Sequence, residues 1–399
     1  MTQAKPSNSN SSFPLPEKEA LIQSQKLVMH VQDIIKQQGG SIGFDAYMDS
    51  VLYEPGLGYY SAGSRKFGAE GDFVTAPEIS SLFSQCLAYQ CAQVLNVLGS
   101  GDILELGAGT GVMARDLLLE LEKLDLLPEN YFILEVSADL KQRQQALIKQ
   151  SIPHIYERVS WLDSLPEKSF SGLILANEIL DALSVKRFKK VSKGFREMKV
   201  SVDDDLFTWN ETDAEQELTE ALTQLETELT APFPEDYVSE INLNTKPWLK
   251  GLEEVLQKGV MLFIDYGYSK QEYYHPARND GTLLCHYLHH VHTDPFFYPG
   301  LQDITCSVNF TDVAESAHSL GLHISGYTNQ AYFLFGCGLE KLLTDIASLD
   351  IKSHTEITQQ VKKLTMPEEM GERFKVIALT KEFKEGLIGF SIMDQRVRL

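Results

Sequence analysis

The chain has 399 residues, 43% hydrophobic and 23% charged; its 35 Lys and Arg fall far short of 56 Asp and Glu, leaving a formal net charge of −21. That field repels phosphate backbones, which excludes nucleic-acid binding as the main task, and no apolar run approaches the ~20 residues of a membrane-crossing helix. The opening MTQAKPSNSNSSFPLPEKEA has neither an apolar signal core nor arginine, and the five cysteines form no CxxC pair, so the expectation is a reduced, cytoplasmic protein.

Residues 1–16, rich in Ser, Asn and Pro, predict a disordered tail. From 17 to 99 helical spacing dominates, first at Leu27, Val31, Ile34 and Ile35, then at Phe44, Tyr47, Met48, Val51 and Leu52. A glycine-rich stretch, YEPGLGYYSAGSRKFGAEGDFV, follows and is too long for a plain connection. It ends at Thr75-Ala76-Pro77-Glu78, a T-x-x-E capping box predicted to open a helix bearing Ile79, Leu82, Phe83, Cys86 and Leu87 on one face.

From Asp102 the pattern turns to strand–helix alternation. DILEL, YFILEV, RVSWL, GLILAN and VMLFIDY read as short buried strands, with helices over 112–124 and 138–150 between the first three. This predicts an α/β fold with a mostly parallel, doubly wound sheet running from about 100 to 381. Two insertions interrupt it. Between Val200 and Thr245 there is no Lys or Arg but there are thirteen acidic residues, and Leu218, Ala221, Leu222, Leu225 and Leu229 keep helical spacing. The expectation is an acidic helical insertion at about 203–250, either a solvated surface or a lid that attracts a cationic substrate. A loop insertion at about 266–310 is rich in Tyr, His and Pro. Beyond it, 311–320 predicts a helix, HISGYTN a strand, 331–370 a helical block and FKVIALTK a last strand.

The chemistry concentrates where the first of these strands ends. Glu105 precedes Gly107-Ala108-Gly109-Thr110-Gly111, which runs straight into an amphipathic helix. A buried strand feeding a glycine turn sets backbone amides beside a ligand where side chains would obstruct it. The G-x-G-x-G spacing differs from the G-x-G-x-x-G of pyrophosphate sites, and an acid beside the turn suits a sulfonium or ammonium better than a diphosphate. The second strand ends at Glu135-Val136, where a carboxylate can accept ribose hydroxyls. The third ends at Trp161-Leu162-Asp163, suited to sandwiching and hydrogen-bonding adenine. Together these three strand ends describe a pocket for S-adenosyl-L-methionine (SAM).

The fourth strand ends in Asn177-Glu178-Ile179-Leu180-Asp181, which the doubly wound topology places near the reactive methyl. Methyl transfer mainly needs alignment and dryness. A guanidinium acceptor adds a demand for carboxylates that hold its fork and take a proton, so Asn177, Glu178 and Asp181 are the catalytic candidates. Capping of a following helix is the alternative for the two acids.

These residues lie inside a longer set of motifs: LYEPGLGYY at 52–60, GDFVTAPEI at 71–79, ELGAGTG at 105–111 and NEILDAL at 177–183. DYG at 265–267, GTL at 281–283, PGLQDIT at 299–305 and MGERF at 370–374 continue it. With them the chain resembles the MidA family of methyltransferases from about residue 44 to 381. The resemblance implies a class I SAM-dependent methyltransferase core, Rossmann-like with a mostly parallel seven-stranded sheet. It also implies a helical N-terminal region and large insertions. For mitochondrial members it implies dimethylation of an arginine in a respiratory complex I subunit. It further suggests Asp72 and Thr75 as cofactor contacts, and Tyr59, Tyr60, Asp265 and Tyr266 as substrate contacts. The implied partner is a protein with an accessible arginine, and a homodimer is compatible with the pattern. The competing function is an assembly scaffold whose SAM pocket no longer turns over. His275, His286, His289, His290 and His292 fit no zinc spacing, so no metal is expected.

Overall fold

The computed structural model describes residues 13–61, 74–346 and 350–399. Most of the tail read as disordered (1–12), and Gly71-Asp72-Phe73 with its cofactor reading, fall outside these ranges. The chain divides into two compact units of interleaved segments: 1–73 with 182–244 and 270–307, and 74–181 with 245–269 and 308–399.

In the second unit the expected parallel core forms from β1 (Asp102–Leu106), β2 (Tyr131–Leu134), β3 (Val159–Leu162), β4 (Phe170–Asn177) and β5 (Leu256–Tyr268). Two more strands, β6 (His323–Asn329) and β7 (Phe374–Lys381), complete the order β6-β7-β5-β4-β1-β2-β3. Strands β1 to β5 pair in parallel, whereas β7 runs antiparallel to both β5 and β6. A two-residue strand, Val308–Asn309, also joins β5. The order turns around at β1, with β2 on one side and β4 on the other, and such a switch point opens a crevice at the carboxyl ends of the strands.

Three helices support that crevice: α1 (Ser81–Leu98), α2 (Val112–Lys123) and α3 (Ala138–Ser151). Leu82, Phe83, Cys86 and Leu87 of α1 share a buried core with Ile103, Leu117, Leu173 and Leu175. The helix does not start at the predicted capping box. Thr75 precedes a four-residue helix, Ala76–Ile79, and makes no side-chain cap bond there. Ser80 is extended instead, and its Oγ accepts the Leu82 amide, so the long helix begins five residues later than the box implies.

Where β1, β4 and β5 lie side by side, two glycines remove side chains. A Cβ on Gly172 (φ +153°) would sit 1.8 Å from the Asp102 carbonyl oxygen, and one on Gly259 (φ +147°) 1.8 Å from that of Gly172. Backbone cannot yield as a flexible side chain does. Gly172→Ala is therefore expected to destabilise the fold by at least about 3 kcal/mol, read as a lower urea midpoint.

The acidic insertion departs in part from the helical expectation. It mixes helix with antiparallel sheet: its strands 206–213 and 238–241 pair with 194–203 and 186–191, which pair with each other ahead of it, and Ser41–Ile42 joins as a fifth strand. Gln216–Glu228 is helical, burying Leu218, Leu222 and Leu225, and a second helix, Thr245–Val255, begins before the insertion's expected end. The acids are paired as well. Lys189 meets Glu211 (3.0 Å) and Asp236 (3.2 Å), Lys190 meets Glu226 (2.7 Å), and Lys199 meets Glu215 (3.1 Å). Basic side chains on neighbouring strands thus offset much of the acidic run, which weakens the lid reading. Residues 203–244 and 270–307, most of both insertions, cluster with the N-terminal region, where the expectation assigned them to the core at 100–399. Val185, Val200, Leu283, Cys285 and Ile304 share a core with Phe44, Tyr47, Met48 and Val51. The segment 270–307 likewise carries a three-stranded antiparallel sheet where a loop was expected. At the other end, Phe13, inside the tail read as disordered, stacks on His290 with ring centres 4.7 Å apart.

Candidate cofactor and acceptor site

The glycine turn follows β1 as the sequence predicts. Gly107, Gly109 and Gly111 take φ of +62°, +54° and +86°, and Gly111 caps α2. Their reasons for being glycine differ. A Cβ at Gly107 would lie 2.6 Å from Ile179 Cδ1, and one at Gly111 3.2 Å from Gln144 Cγ, so these two serve close packing. One at Gly109 would meet nothing within 4 Å. Ala108 between them is buried, and Thr110 Oγ1 is a buried hydroxyl with no hydrogen-bond partner among the described residues.

Glu105, beneath the turn, is fully enclosed and accepts the Tyr131 hydroxyl at 2.7 Å. Burial raises its carboxyl from 4.5 to about 7, a rise opposed by the Tyr131 bond and aided by the Glu135 charge. A carboxyl raised in the folded state binds a proton that the unfolded chain has released. Its contribution is complete below about pH 4.5 and is lost as pH climbs through about 7. Relative to Glu105→Gln, the wild type is expected to lose up to about 3 kcal/mol across that window, measured by denaturant titration at several pH values.

Glu135 leaves β2 with each oxygen engaged: Oε1 accepts the Ser137 amide and Oε2 the Gln144 side-chain amide, both at 2.9 Å. Its neighbour Val136 is exposed. Trp161 in β3 is half-buried, as is Leu162, and its indole N–H donates to Gln144 Oε1 at 2.9 Å. Asp163 is exposed and pairs with Lys141 of α3 at 2.8 Å. Gln144 was not singled out in the sequence, yet it links the glycine turn, Glu135 and Trp161. The available signal was position: on α3 the buried residues are Leu140, Gln144 and Ile148, so a glutamine occupies the middle of an apolar stripe.

At the end of β4, Asn177 Nδ2 donates to Glu178 Oε1 (3.0 Å), and the Glu178 amide donates to the Ile264 carbonyl of β5 (2.9 Å). Glu178 has φ +54°, unusual for a residue with a side chain. Asp265 holds the turn: Oδ2 accepts the amides of Leu180 (2.9 Å) and Asp181 (3.2 Å), and Oδ1 that of Tyr266 (2.9 Å). Burial, then the charges of Asp181 and Glu178, push the Asp265 carboxyl well above the usual range. The structure therefore gathers Glu178, Asp181 and Asp265, and the alternative of simple helix capping fails, because no helix follows β4 there. Asp265 organises the turn through backbone amides, a different job from the substrate contact expected of it. Tyr266 packs edge-on against Phe374, ring centres 5.6 Å apart. Thr75 is partly exposed.

Tyr59 and Tyr60 belong to the first unit. Tyr59 is 1% exposed within its core, and the Tyr60 hydroxyl donates to Asp303 at 2.8 Å. Packing accounts for both where substrate contact was expected. Among the described residues no group of three or more His, Cys, Asp or Glu is arranged to hold a metal ion.

Residues 86–328 match a family described as S-adenosyl-L-methionine-dependent methyltransferases. The chain belongs to that family. This methyltransferase is 30% identical to the Drosophila melanogaster "Protein arginine methyltransferase NDUFAF7 homolog, mitochondrial", with 85% of this chain and 82% of the relative covered. To the Homo sapiens protein of that name it is 27% identical, over 88% and 83%. A COG1565 superfamily protein from Burkholderia thailandensis, crystallised with S-adenosyl-homocysteine, superposes with a TM-score of 0.92 at 40% identity, covering 97% of this chain and all (100%) of that one.

The class I methyltransferase fold, the MidA-type membership and the use of SAM thus hold, and the scaffold alternative gives way to an enzyme. The cytoplasmic expectation does not hold: these relatives are named as mitochondrial, and the composition of a few leading residues does not decide location. The residues at the strand ends fit SAM. Gly109 leaves room that a Cβ would fill, and the buried Thr110 Oγ1 and Asn177 Oδ1 lack hydrogen-bond partners among the described residues. Carboxylates stand at the ends of β2 and β4.

Proposed function

We propose that this methyltransferase acts on the guanidinium of an arginine in a protein, and that the protein is a respiratory complex I-type subunit. The observation that carries the reading is the gathering of Glu178, Asp181 and Asp265 where β4 ends beside β5. A guanidinium keeps its charge in water and presents five N–H donors in a fixed fork, which paired carboxylates match. When bound, SAM supplies an electrophilic methyl on sulfonium. In this reading Glu178 and Asp181 align one guanidinium nitrogen and take the proton it must lose, and Asn177 orients Glu178 through the bond between their side chains. The printed names of the curated relatives, protein arginine methyltransferases, support the same acceptor class.

The test is transfer from isotopically labelled SAM to purified complex I subunits and arginine-containing peptides, read by fragmentation mass spectrometry. Label on arginine side chains is the expected result. Label confined to lysine, to a terminus or to a small molecule overturns the arginine assignment. Label on arginines of unrelated proteins alone overturns the complex I part.

A further inference from the structure

We propose that Gln144 is a positioning residue for the cofactor, fixing the ribose-side carboxylate, the glycine turn and the adenine-side indole in one arrangement. Its side chain is fully buried on α3, and all three of its polar contacts are made at strand ends of the cofactor crevice. Nε2 donates to the Gly109 carbonyl and to Glu135 Oε2, both at 2.9 Å, and Oε1 accepts from Trp161 Nε1 at 2.9 Å.

The chemistry of the partners permits only one orientation of the amide. An indole N–H can only donate, and a carbonyl or carboxylate only accepts, so a flipped amide would set donor against donor and acceptor against acceptor. Both amide hydrogens are used. One restrains the carbonyl of the glycine beside which a ligand fits, and the other helps the Ser137 amide hold the plane of Glu135. The bond from Trp161 fixes the tilt of the indole. The Gln144 stem completes the arrangement, because the space where a Gly111 side chain would begin lies 3.2 Å from its Cγ. A glutamine in the middle of an apolar stripe is costly unless each polar group is satisfied, and here it is satisfied by cofactor-site groups.

The inference rests on SAM binding at these strand ends, so titration of SAM into the wild type tests that premise by itself. Calorimetric titrations are then compared for the wild type, Gln144→Met and Gln144→Glu at a temperature where all remain folded. Gln144→Met keeps the length and loses all three bonds. It is expected to weaken SAM binding about tenfold to a hundredfold, with KM for SAM rising alike. At saturating SAM, kcat and the acceptor KM are expected to stay within about twofold, since the β4 end is untouched.

Gln144→Glu sets a second carboxylate against Glu135 and the Gly109 carbonyl. Its SAM affinity is expected to fall below that of Gln144→Met near pH 8 and to recover as pH drops towards 6, because a protonated carboxyl can again donate. A purely structural role would lower the melting temperature of both variants and leave SAM affinity within about twofold of wild type. That result, or a Gln144→Glu affinity whose ratio to the wild type at the same pH does not change between about pH 8 and 6, overturns the proposal. The wild type corrects for Glu105, which titrates in the same range. Should Gln144→Met fail to fold, the acid recovery of Gln144→Glu decides the matter.

Discussion

Gly109→Val is expected to abolish measurable SAM binding, a loss of about a hundredfold or more, while the protein stays folded. The argument rests on a contrast within one turn. A Cβ at Gly109 meets no protein atom within 4 Å, so a side chain there starts in open space, and a branched one is expected to fill the approach to the backbone amides. A Cβ at Gly107 would lie 2.6 Å from Ile179 Cδ1, so Gly107→Val must also turn that side-chain end aside and is expected to melt below Gly109→Val. Gly109 sits at φ +54°, and a substituent there costs about 1–2 kcal/mol of backbone strain, too little to unfold an ordinary domain. Calorimetry with SAM and a thermal melt separate the two variants. Normal SAM affinity in Gly109→Val would show that this turn does not face the cofactor.

The turn, the seven strands and the carboxylates at their ends were legible because each leaves a local trace: a short apolar run, a glycine cluster, an acid at a strand terminus. Gln144 left only a faint one. Its meaning depends on Gly109, Glu135 and Trp161, which sequence distance separates and β-strand pairing reunites. The acidic insertion misled for a related reason. Leucine spacing at Leu218, Leu222 and Leu225 is genuine but covers one helix of thirteen residues, and the strands beside it are half-exposed, with weak apolar alternation. The lysines that offset its charge lie on strands 186–191 and 194–203, and antiparallel pairing brings them across. Asp265 reads in the sequence as a residue that could face an acceptor, but its three amide bonds follow from β4 ending beside Ile264 of the longer β5, a matter of register.

Glu178→Gln is expected to leave SAM binding intact and to lower kcat for methyl transfer by about 10²- to 10⁴-fold. The substitution is nearly isosteric. A glutamine Oε1 can still accept the Asn177 Nδ2 bond, and the backbone bond from residue 178 to Ile264 is untouched, so the left-handed turn at φ +54° keeps its supports. What disappears is the charge that would hold a guanidinium and the basicity that would take its proton. Asp265→Asn makes the informative companion, because Asp265 uses its oxygens on the amides of Leu180, Asp181 and Tyr266. An asparagine replaces one acceptor oxygen with a donor that faces an amide, so this variant is expected to lower the melting temperature together with kcat. A Glu178→Gln enzyme that turns over within about twofold of wild type would remove the carboxylate from the chemistry, however well the turn is built around it.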